Sequence, residues 1–524
     1  MSDWGAGYVT DLQYTPVFCR EQSPAILRLA CLLNGVETAP ESESFTYCDL
    51  GCGEGMAVLI LAAGYPEGRF YGVDFNPAHI MRASGIAAAA ALSNVEFLER
   101  SFEDLPDEPL PEFDFITLHG VYSWISPELR QSIVRFIARR LKPGGIVYVG
   151  YNAMPGSASG LPVQRLLHDL GAQVHGQSEK KILWAMSILE KLKDAGAASF
   201  VGNDVVDRII DLRYRSRHRG RISYLAHEYL NDHWHPMYHA DVAREMSAAK
   251  LLYAGSADLL SNFQQFMVTP QQRELIDSLD DSTLKQTVRD LCCPLSFRQD
   301  VFIRGARPIS AAKQEALFRR IRLALLVPRA NVRMQLKVPT GNADLQPAYA
   351  TIADALAKGP CTVAELLDLP ELRGKSGSLA TEFVGVLVGT AQAMAMRDPA
   401  GIDPAPGDRL NRVLAQELEE AAPTDVKVFA VPSLGSGISM TCQQAMMLRS
   451  LLMDRPLDVD ELSRGMLSKV LRCGQRVQKD GVPVESEVEA LAIVRADVSA
   501  VTSEMLPVWL TCWPHFRRAA GLPA

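Results

Sequence analysis

The chain of 524 residues lacks the features of a membrane-inserted or disulfide-stabilised protein. No apolar run reaches the roughly 18 residues that cross a bilayer as a helix. The first residues show no basic region followed by an apolar one, so we expect no signal peptide. The ten cysteines form no CxxC pair with a matching Cys or His set, which disfavours a zinc ribbon. These absences predict a soluble, cytoplasmic protein with reduced thiols and no stable membrane insertion.

A surplus of basic charge is also missing. The chain has 53 Lys and Arg against 61 Asp and Glu, a net charge of −8. The part from Ile309 to Ala524 contains equal numbers of basic and acidic residues. Because nucleic-acid binding depends on phosphate contacts from Lys and Arg, we expect no nucleic-acid partner.

Apolar strands and helices alternate in the first third of the chain. The predicted strands are Phe45–Leu50, Phe70–Val73, Val95–Leu98, Phe113–Leu118 and Ile146–Gly150. Helices of 8 to 15 residues are predicted between most of them, at Met56–Ala63, Pro77–Ala91 and Pro127–Leu141. Such alternation predicts an α/β fold with a Rossmann-like parallel sheet and right-handed crossovers.

The alternation is interrupted after residue 160. Leu161–His218 reads as three helices, which we interpret as a helical insertion. Two further strands, Leu251–Gly255 and Phe297–Arg304, then suggest that the first domain resumes. The alternative is that the sheet ends at Gly150 and a new domain begins there.

The carboxyl-terminal part is predicted to be mainly helical. The order helix, short helix, helix and apolar stretch over Tyr349–Arg397 is typical of a winged-helix-like domain. A Pro/Gly-rich linker at Asp398–Asp408 precedes a last unit with a helix at Ser439–Leu452. The predicted units are therefore 1–160, 161–218, 219–308, 309–398 and 409–524.

The strongest functional signal is the segment Asp49–Gly55, DLGCGEG, directly after the first strand. Glycines at this point let a ligand approach the backbone, against the N-terminus of the next helix. The spacing is G-x-G-x-G, unlike the G-x-G-x-x-G of dinucleotide folds, and no P-loop ending follows. Asp49 would repel a pyrophosphate and attract an ammonium group. Asp49, Gly51 and Gly53 therefore favour a cationic, phosphate-free nucleoside such as S-adenosylmethionine.

The next two strand ends carry further candidate cofactor residues. Asp74 ends the second strand, where a carboxylate accepts ribose hydroxyls, and Phe75 follows it. Ser101 and Phe102 follow the third strand, at the position expected for the adenine edge. Taken alone, Asp49 is equally consistent with a helix cap and Asp74 with a surface turn. Their joint register with strand ends favours the cofactor interpretation.

The chain resembles the class I S-adenosylmethionine-dependent methyltransferases. The DLGCGEG turn, the GVD strand end (72–74) and LKPGG (141–145) carry this resemblance. Further segments narrow it to bacterial methyltransferases with a methyltransferase regulatory domain, a group that includes outer-membrane-protein lysine methyltransferases. These segments are GYVTDLQYTPVFCREQSP (7–24), FITLHGVYSWIS (115–126), YNAMPG (151–156), YLAHEYLNDHWHPMY (224–238) and FRQDVFIRG (297–305).

The resemblance implies a seven-stranded core and an amino-terminal stretch, with Tyr8 and Tyr14, that covers the cofactor. It also implies that the end of the fourth strand faces the transferring methyl group, where His119, Tyr122 and Trp124 lie. His119 is a candidate for both cofactor binding and catalysis. Aromatic faces attract a sulfonium or methylammonium, and Tyr or His can accept a proton. The alternative is that Tyr122 and Trp124 are core aromatics.

The segment Tyr224–His239 contains four of the ten histidines. His227-Glu228 lacks a second His four residues after the first, so we expect no metal site. By resemblance the segment borders the acceptor channel: Glu228 would hold an ammonium group, while Tyr229, Trp234 and Tyr238 would shape the channel. The alternative is a structural lid.

By resemblance, the acceptor is the lysine side-chain amine of a protein. One alternative is methyl transfer to nitrogen or oxygen of a small metabolite. Another is a catalytically silent regulator that binds S-adenosylmethionine. A homodimer formed through the helical insertion is a further prediction.

Overall fold

The computed structural model describes residues 5, 7–12, 18–39, 44–215, 219–374, 377–398 and 401–521. The first part alternates strands and helices, as the apolar pattern predicted. Its elements are α1 (Pro24–Leu33), β1 (Thr46–Leu50), α2 (Met56–Gly64), β2 (Arg69–Asp74), α3 (Pro77–Ala89), β3 (Val95–Glu99), β4 (Phe113–His119), α4 (Pro127–Arg140) and β5 (Leu141–Asn152).

A helical bundle follows β5. It consists of α5 (Leu161–Ala172), α6 (Ser178–Asp194), α7 (Asp204–Arg215) and α8 (Arg219–Tyr229). Leu225 and Tyr229 of α8 share one apolar core with Leu167 of α5 and Met186 of α6. The bundle therefore includes α8, in addition to the three helices predicted within 161–218.

The chain then returns to the sheet. The elements are α9 (His239–Ser247), β6 (Leu251–Ser256), α10 (Gln264–Met267), α11 (Pro270–Asp277), α12 (Ser282–Cys292) and β7 (Phe297–Arg304). The seven strands have the order β3-β2-β1-β4-β5-β7-β6. This is the Rossmann-like seven-stranded α/β core, and the fold class is confirmed.

The sheet is not parallel throughout. The first five strands pair in parallel, but β7 is antiparallel to both β5 and β6. β7 lies between those two strands and runs back along β6, so no right-handed crossover is needed at this edge. The parallel pairing predicted for the first five strands is confirmed, and the last two strands make the sheet mixed.

The sheet is covered on both faces, which its apolar strands require. Tyr47 of β1 is buried in one large core, and its neighbours Cys48 and Leu50 belong mainly to the core on the opposite face. Strand order reverses between β1 and β4, so their carboxyl ends open a crevice, the usual ligand position in such sheets.

The next unit contains a small antiparallel sheet, a separate strand pair and four helices. The strand order is β11-β8-β12, beside a separate β9–β10 pair. The elements are α13 (Ala311–Arg320), β8 (Arg322–Leu325), β9 (Gln335–Val338), β10 (Gly341–Asp344), α14 (Ala348–Leu356), β11 (Cys361–Thr362), α15 (Val363–Leu367), α16 (Gly377–Gly389) and β12 (Ala393–Met396).

The last unit is mainly helical, with two strand pairs. Its elements are α17 (Ala405–Gln416), β13 (Val426–Val431), β14 (Ser436–Thr441), α18 (Cys442–Leu452), α19 (Val459–Arg472), β15 (Gln478–Lys479), β16 (Val482–Pro483) and α20 (Glu487–Cys512). The helix predicted from Ser439 starts only at Cys442, because Thr441 and Gln444 form a capping box there. No helix among the described residues is long and apolar enough to cross a membrane.

The carboxyl-terminal units pack directly on the core. Arg20, just before α1, donates to the carbonyl oxygens of Val388 (2.7 Å) and Gly389 (2.7 Å) at the end of α16. On the same helix, Gly385 is buried where a Cβ atom would lie 2.4 Å from the ring of Phe263. The absence of a side chain at Gly385 thus permits this close packing.

We expect Gly385→Ala to destabilise the protein by about 1–3 kcal/mol, because the new methyl group must displace the Phe263 ring. Thermal unfolding would show a lower midpoint. Gly85→Ala in α3 is the matched control: a Cβ there meets no atom within 4 Å, and alanine favours a helix over glycine by up to about 1 kcal/mol. An unchanged midpoint for Gly385→Ala would contradict the close packing.

Candidate active site

A cleft of about 880 Å³ opens at the carboxyl ends of the parallel strands. Most of the residues singled out in the sequence meet there, although they come from distant parts of the chain. Those that line it are Gly51, Gly53, Asp74, Phe75, Ser101, Phe102, His119, Trp124 and Glu228. Asp49 and Tyr122 lie outside its wall, and Tyr14 lies outside the described residues.

The glycine turn after β1 forms one wall. Gly51 and Gly53 have φ values of +74° and +54°, which only glycine adopts without strain. A Cβ at Gly51 would lie 2.4 Å from Val121 Cγ2, whereas a Cβ at Gly53 would meet no atom within 4 Å. Gly51 therefore allows close packing of two loops, and Gly53 leaves the cleft open beside the backbone.

Asp74 connects this turn to the end of β2. Its Oδ2 accepts the N–H of Gly53 (2.9 Å), and its Oδ1 accepts the N–H of Asn76 (2.9 Å). A carboxylate has about four acceptor positions, so Asp74 retains capacity for a ribose hydroxyl.

His79 is a member of the site that the sequence analysis missed. It lines the cleft from the first turn of α3, with Nδ1 3.3 Å from Oδ1 of Asp74. Burial lowers the pKa of His79, but the hydrogen bond and charge of Asp74, with Glu54 nearby, outweigh it and raise this pKa above its ordinary value. The signal available in the sequence was its position five residues after Asp74, on the helix that the strand end opens.

Asp49 is buried behind the glycine turn instead of lining the cleft. Its Oδ1 accepts hydrogen bonds from Thr117 Oγ1 (2.7 Å) and Gln22 Nε2 (3.0 Å). Burial raises the pKa of Asp49 to about 7, the two hydrogen bonds oppose the increase, and the charge of Asp74 adds to it. The two acids lie at adjacent strand ends, because Asp49 pairs with Gly72. Asp49 thus has no wall position in the cleft, and only its charge could act on a ligand there.

The far end of the cleft holds the residues predicted for adenine. Ser101 and Phe102 both line it and are half-buried. Ser101 Oγ accepts the N–H of Glu103 (3.3 Å), which orients the hydroxyl within the turn after β3. Arg100 forms an ion pair with Glu108 at this rim.

His119 ends β4 beside the middle of the cleft. Its Nδ1 lies 2.7 Å from the hydroxyl of Tyr148, and its ring centre lies 5.3 Å from that of Phe297. Burial lowers the pKa of His119 to about 4, against the charge of Glu21. The imidazole is therefore neutral at physiological pH and adds no positive charge to the cleft.

The two aromatic residues after β4 differ in position. Trp124 lines the cleft, with its ring 6.2 Å from that of Trp234. Tyr122 is fully buried in the core, donates to the carboxylate of Glu245 and lies under Arg130. Its hydroxyl is therefore engaged away from the cleft. This placement contradicts the catalytic role predicted for Tyr122 and favours the alternative of a core aromatic.

Helix α8 supplies the wall opposite the strand ends. Tyr224, His227 and Glu228 line the cleft because their i, i+3 and i+4 spacing puts them on one helix face. Burial raises the pKa of Glu228 to about 7, although Arg208 and a hydrogen bond with Tyr224 oppose it. Burial also lowers the pKa of His227 to about 4, against a hydrogen bond with the Leu12 carbonyl.

The three aromatics expected to shape the channel do not line it. Tyr229 is buried in the helical bundle, Trp234 lies behind Trp124, and Tyr238 is exposed. In an α-helix, neighbouring residues face different directions, which separates Tyr229 from Glu228. Within the described part of the chain, no group of three or more His, Cys, Asp or Glu residues is placed to hold a metal ion.

The amino-terminal segment lies over one side of the cleft. Tyr8 lines it, with ring centres 6.0 Å from Phe75 and 5.4 Å from His227. The backbone N–H of Val9 donates to Asn231 Oδ1 (2.9 Å), which attaches the segment to the loop after α8. Tyr8 thus occupies the covering position for which Tyr14 was also predicted.

Two family patterns and several known proteins match the chain. The sequence pattern of a methyltransferase domain matches residues 41–238, and that of a "predicted methyltransferase regulatory domain" matches residues 221–304. An uncharacterised protein of Synechocystis sp. is 32% identical over 517 residues, covering 96% of this chain and 98% of that protein.

Among solved structures, PKMT2 from Rickettsia typhi in complex with AdoHcy is similar over nearly the whole chain. The TM-score is 0.68 at 18% identity, with 94% of this chain and 99% of that chain covered. A trans-aconitate 2-methyltransferase of Methylobacterium nodulans is 30% identical, but over only 28% of this chain and 50% of that protein. The residues of the cleft fit S-adenosylmethionine: the glycine turn lacks a phosphate-binding sequence, and the carboxylate of Asp74 lines the cleft with free acceptor capacity.

We expect Asp74→Asn to weaken binding of S-adenosylhomocysteine about 10- to 100-fold, because an amide cannot accept hydrogen bonds at both ends and a charged hydrogen bond contributes about 1.5–3 kcal/mol. Calorimetry would measure the dissociation constant. Asp107→Asn is the control, since Asp107 is exposed and pairs only with Arg139 among the contacts described. Equal affinities for both variants would contradict the cofactor role of Asp74.

The raised pKa of Asp49 predicts pH-dependent cofactor binding. Because this folded-state pKa lies above the ordinary value, ionisation of Asp49 lowers the free energy of unfolding as pH rises from about 4 to 7, and the loss is complete above 7. A positively charged cofactor favours the ionised form. Affinity should therefore increase as pH rises through 7, by roughly tenfold for each unit by which binding lowers this pKa.

Calorimetry from pH 6 to 8, in buffers of different ionisation enthalpy, would measure the affinity for S-adenosylmethionine and the number of protons released on binding. Asp49→Asn should remove the pH dependence. Glu228→Gln should keep it, although the pKa of Glu228 is raised to a similar value. If Glu228→Gln lost the pH dependence and Asp49→Asn kept it, the titrating residue would be Glu228, and the assignment to Asp49 would be wrong.

Proposed function

We propose that this chain, which belongs to the S-adenosylmethionine-dependent methyltransferases with a methyltransferase regulatory domain, transfers methyl groups to the side-chain amine of lysine in a protein. The observation that carries the proposal is Glu228, a carboxyl group whose pKa is raised to about 7, on the cleft wall opposite the strand ends. A carboxylate at this position attracts an ammonium group.

S-adenosylmethionine would bind at the carboxyl ends of the first three strands. Asp74 would accept a ribose hydroxyl, and Ser101 and Phe102 would enclose the adenine. Gly51 and Gly53 would let the nucleoside lie against the backbone. When bound, S-adenosylmethionine supplies an electrophilic methyl group on a sulfonium.

The acceptor side would bind an alkylammonium. Trp124 and Phe297 present aromatic rings, which attract cationic groups. Glu228, half-buried and ionising near pH 7, would orient the arriving lysine. His119 remains neutral in its buried position, so it does not repel the cationic reactants.

Methylation requires the neutral amine. The half-buried surroundings lower the pKa of an ammonium group, because desolvation disfavours the charged form. Glu228 is suited to accept the released proton, since its pKa matches neutral pH. The cleft would then contribute mainly alignment and desolvation, with no covalent enzyme intermediate.

The comparisons favour a large acceptor over a small one. PKMT2 from Rickettsia typhi is similar to the whole chain, including the bundle and the carboxyl-terminal units. The match to trans-aconitate 2-methyltransferase covers only 28% of this chain. The additional units therefore suit an acceptor that is larger than a metabolite.

We also propose a cytoplasmic location, because all ten cysteines are free thiols. The homodimer through the helical bundle stays a prediction; Trp184 and Val201 are exposed there.

The acceptor is tested by incubating the protein with methyl-labelled S-adenosylmethionine and a bacterial extract, then separating proteins from small molecules. We expect label in protein, released as methyllysine after complete hydrolysis. Label confined to the small-molecule fraction would discard the lysine acceptor in favour of a metabolite. Label in neither fraction, with intact cofactor binding, would favour a silent regulator.

Glu228→Gln should lower kcat/KM for the protein acceptor by about tenfold or more, because it removes the charge that holds the ammonium. Binding of S-adenosylhomocysteine should change less than about twofold. In the wild type, kcat/KM should rise with pH through about 7, as Glu228 ionises. Glu274→Gln, at an exposed position of α11, is the control. A wild-type pH profile in Glu228→Gln would contradict this role.

A further inference from the structure

A second, smaller cavity of about 250 Å³ lies within the segment that matches the regulatory domain. It is formed where β6 ends, where α12 ends and where β7 begins. Its polar lining includes the side chains of Ser256, Asp258, Ser261, Arg289 and Gln299. Leu295 and Phe297 add an apolar wall.

The cavity contains two buried arginines with different surroundings. Arg298 pairs with two carboxylates: its Nη1 lies 2.5 Å from Oδ1 of Asp290, and its Nε lies 3.0 Å from Oδ1 of Asp300. Arg289 is only 5% exposed, yet within the described ranges it forms no ion pair. Its hydrogen bonds go to the neutral acceptors Ser261 O (2.5 Å) and Gln286 Oε1 (3.3 Å).

The Nε atom of Arg289 is buried and has no acceptor among the described residues. Asp258 and Asp290 attract this charge through space, but neither forms a direct ion pair with it among the described contacts. A buried N–H without an acceptor is costly. The carboxylates of Asp290 and Asp300 hydrogen-bond to Arg298 and, among the described contacts, not to Arg289. An anionic group in the cavity would give Arg289 a direct ion pair and an acceptor for its Nε–H. A carboxylate suits this position, because its two oxygens match the planar guanidinium.

Asp258 supplies the complementary charge. Its side chain also lines the cavity, and among the described contacts it attracts Arg289 through space without a direct ion pair. Desolvation and the charge of Glu21 raise the pKa of Asp258, and the charge of Arg289 opposes this increase. A molecule with a carboxylate toward Arg289, an ammonium toward Asp258 and an apolar side chain toward Leu295 and Phe297 would match every wall. We propose that this cavity is a regulatory site for a small, apolar α-amino acid.

The cavity is connected to the active-site cleft. Phe297 lines both, and its ring centre lies 5.3 Å from that of His119. Gln299, also in the cavity wall, donates to Cys19 Sγ (3.7 Å), which in turn lies 3.7 Å from the hydroxyl of Tyr148. An occupant that moves Phe297 therefore changes the wall of the cleft, so binding at the two sites is coupled.

Calorimetry with L-leucine as the probe tests the site, using the full chain saturated with S-adenosylhomocysteine so that the cleft is filled. We expect one leucine per chain. Leucinamide lacks the carboxylate and 4-methylpentanoate lacks the ammonium, so each should bind about tenfold more weakly or worse. No leucine binding, or equal binding of all three compounds, overturns the proposal. Binding of inorganic phosphate in preference to leucine overturns it too, in favour of a phosphate site.

Variants locate the binding. Arg289→Gln should abolish leucine binding, while Arg273→Gln, at an exposed position of α11, should leave it unchanged. If Arg289→Gln unfolds, Asp258→Asn is tested instead. Without the carboxylate that binds the ammonium, this variant should no longer prefer leucine over 4-methylpentanoate. Wild-type leucine affinity in a folded Arg289→Gln protein, or an unchanged preference in Asp258→Asn, overturns the assignment.

Coupling is measured in both directions. The dissociation constant of S-adenosylhomocysteine with and without saturating leucine should change by the same factor as that of leucine with and without S-adenosylhomocysteine. Phe297→Leu should reduce this factor. Identical constants in both states overturn the regulatory role. These measurements use binding only, so their outcome does not depend on the lysine acceptor.

Discussion

The carboxylate of Asp74 joins two neighbouring strand ends, since Oδ2 accepts the N–H of Gly53 and Oδ1 accepts the N–H of Asn76. The hydrogen bond to Gly53 holds the turn after β1 in a conformation with positive φ, and the one to Asn76 positions the start of α3. His79 adds its ring to the same carboxylate. The shape of the cofactor side of the cleft depends on this one group, which also carries the negative charge that a cationic nucleoside requires.

The remaining walls come from parts of the chain far from this turn. The helical bundle contributes Glu228 and His227 through α8, and the amino-terminal segment contributes Tyr8. The two are attached to each other, because Val9 donates to Asn231 and the Leu12 carbonyl contacts His227. The proposed acceptor side is therefore built from a bundle and a segment that pack together, while the proposed cofactor side is built from the sheet.

Burial controls the ionisation of the groups on the side of the cleft where we propose that the acceptor binds. It lowers the pKa of His119 and of His227 to about 4, and it raises that of Glu228 to about 7. The histidines are thus neutral and the carboxyl group is the titrating one at physiological pH. The same low-dielectric surroundings explain why Arg298 is paired with two carboxylates. They also explain why the unpaired Nε of Arg289 favours the proposed anion in the neighbouring cavity.

The sequence alone determined the α/β core, the glycine turn and the candidate residues at the ends of β2, β3 and β4, because strand ends, glycines and short motifs are local features. Tertiary structure decided what local features do not contain. Tyr122 is turned into the core by its partner Glu245, more than a hundred positions away, and Asp49 is buried by Thr117 and Gln22. β7 enters antiparallel between β5 and β6, and α8 joins the bundle. Long-range packing alone sets burial, and with it the pKa values of Asp49, His119 and Glu228.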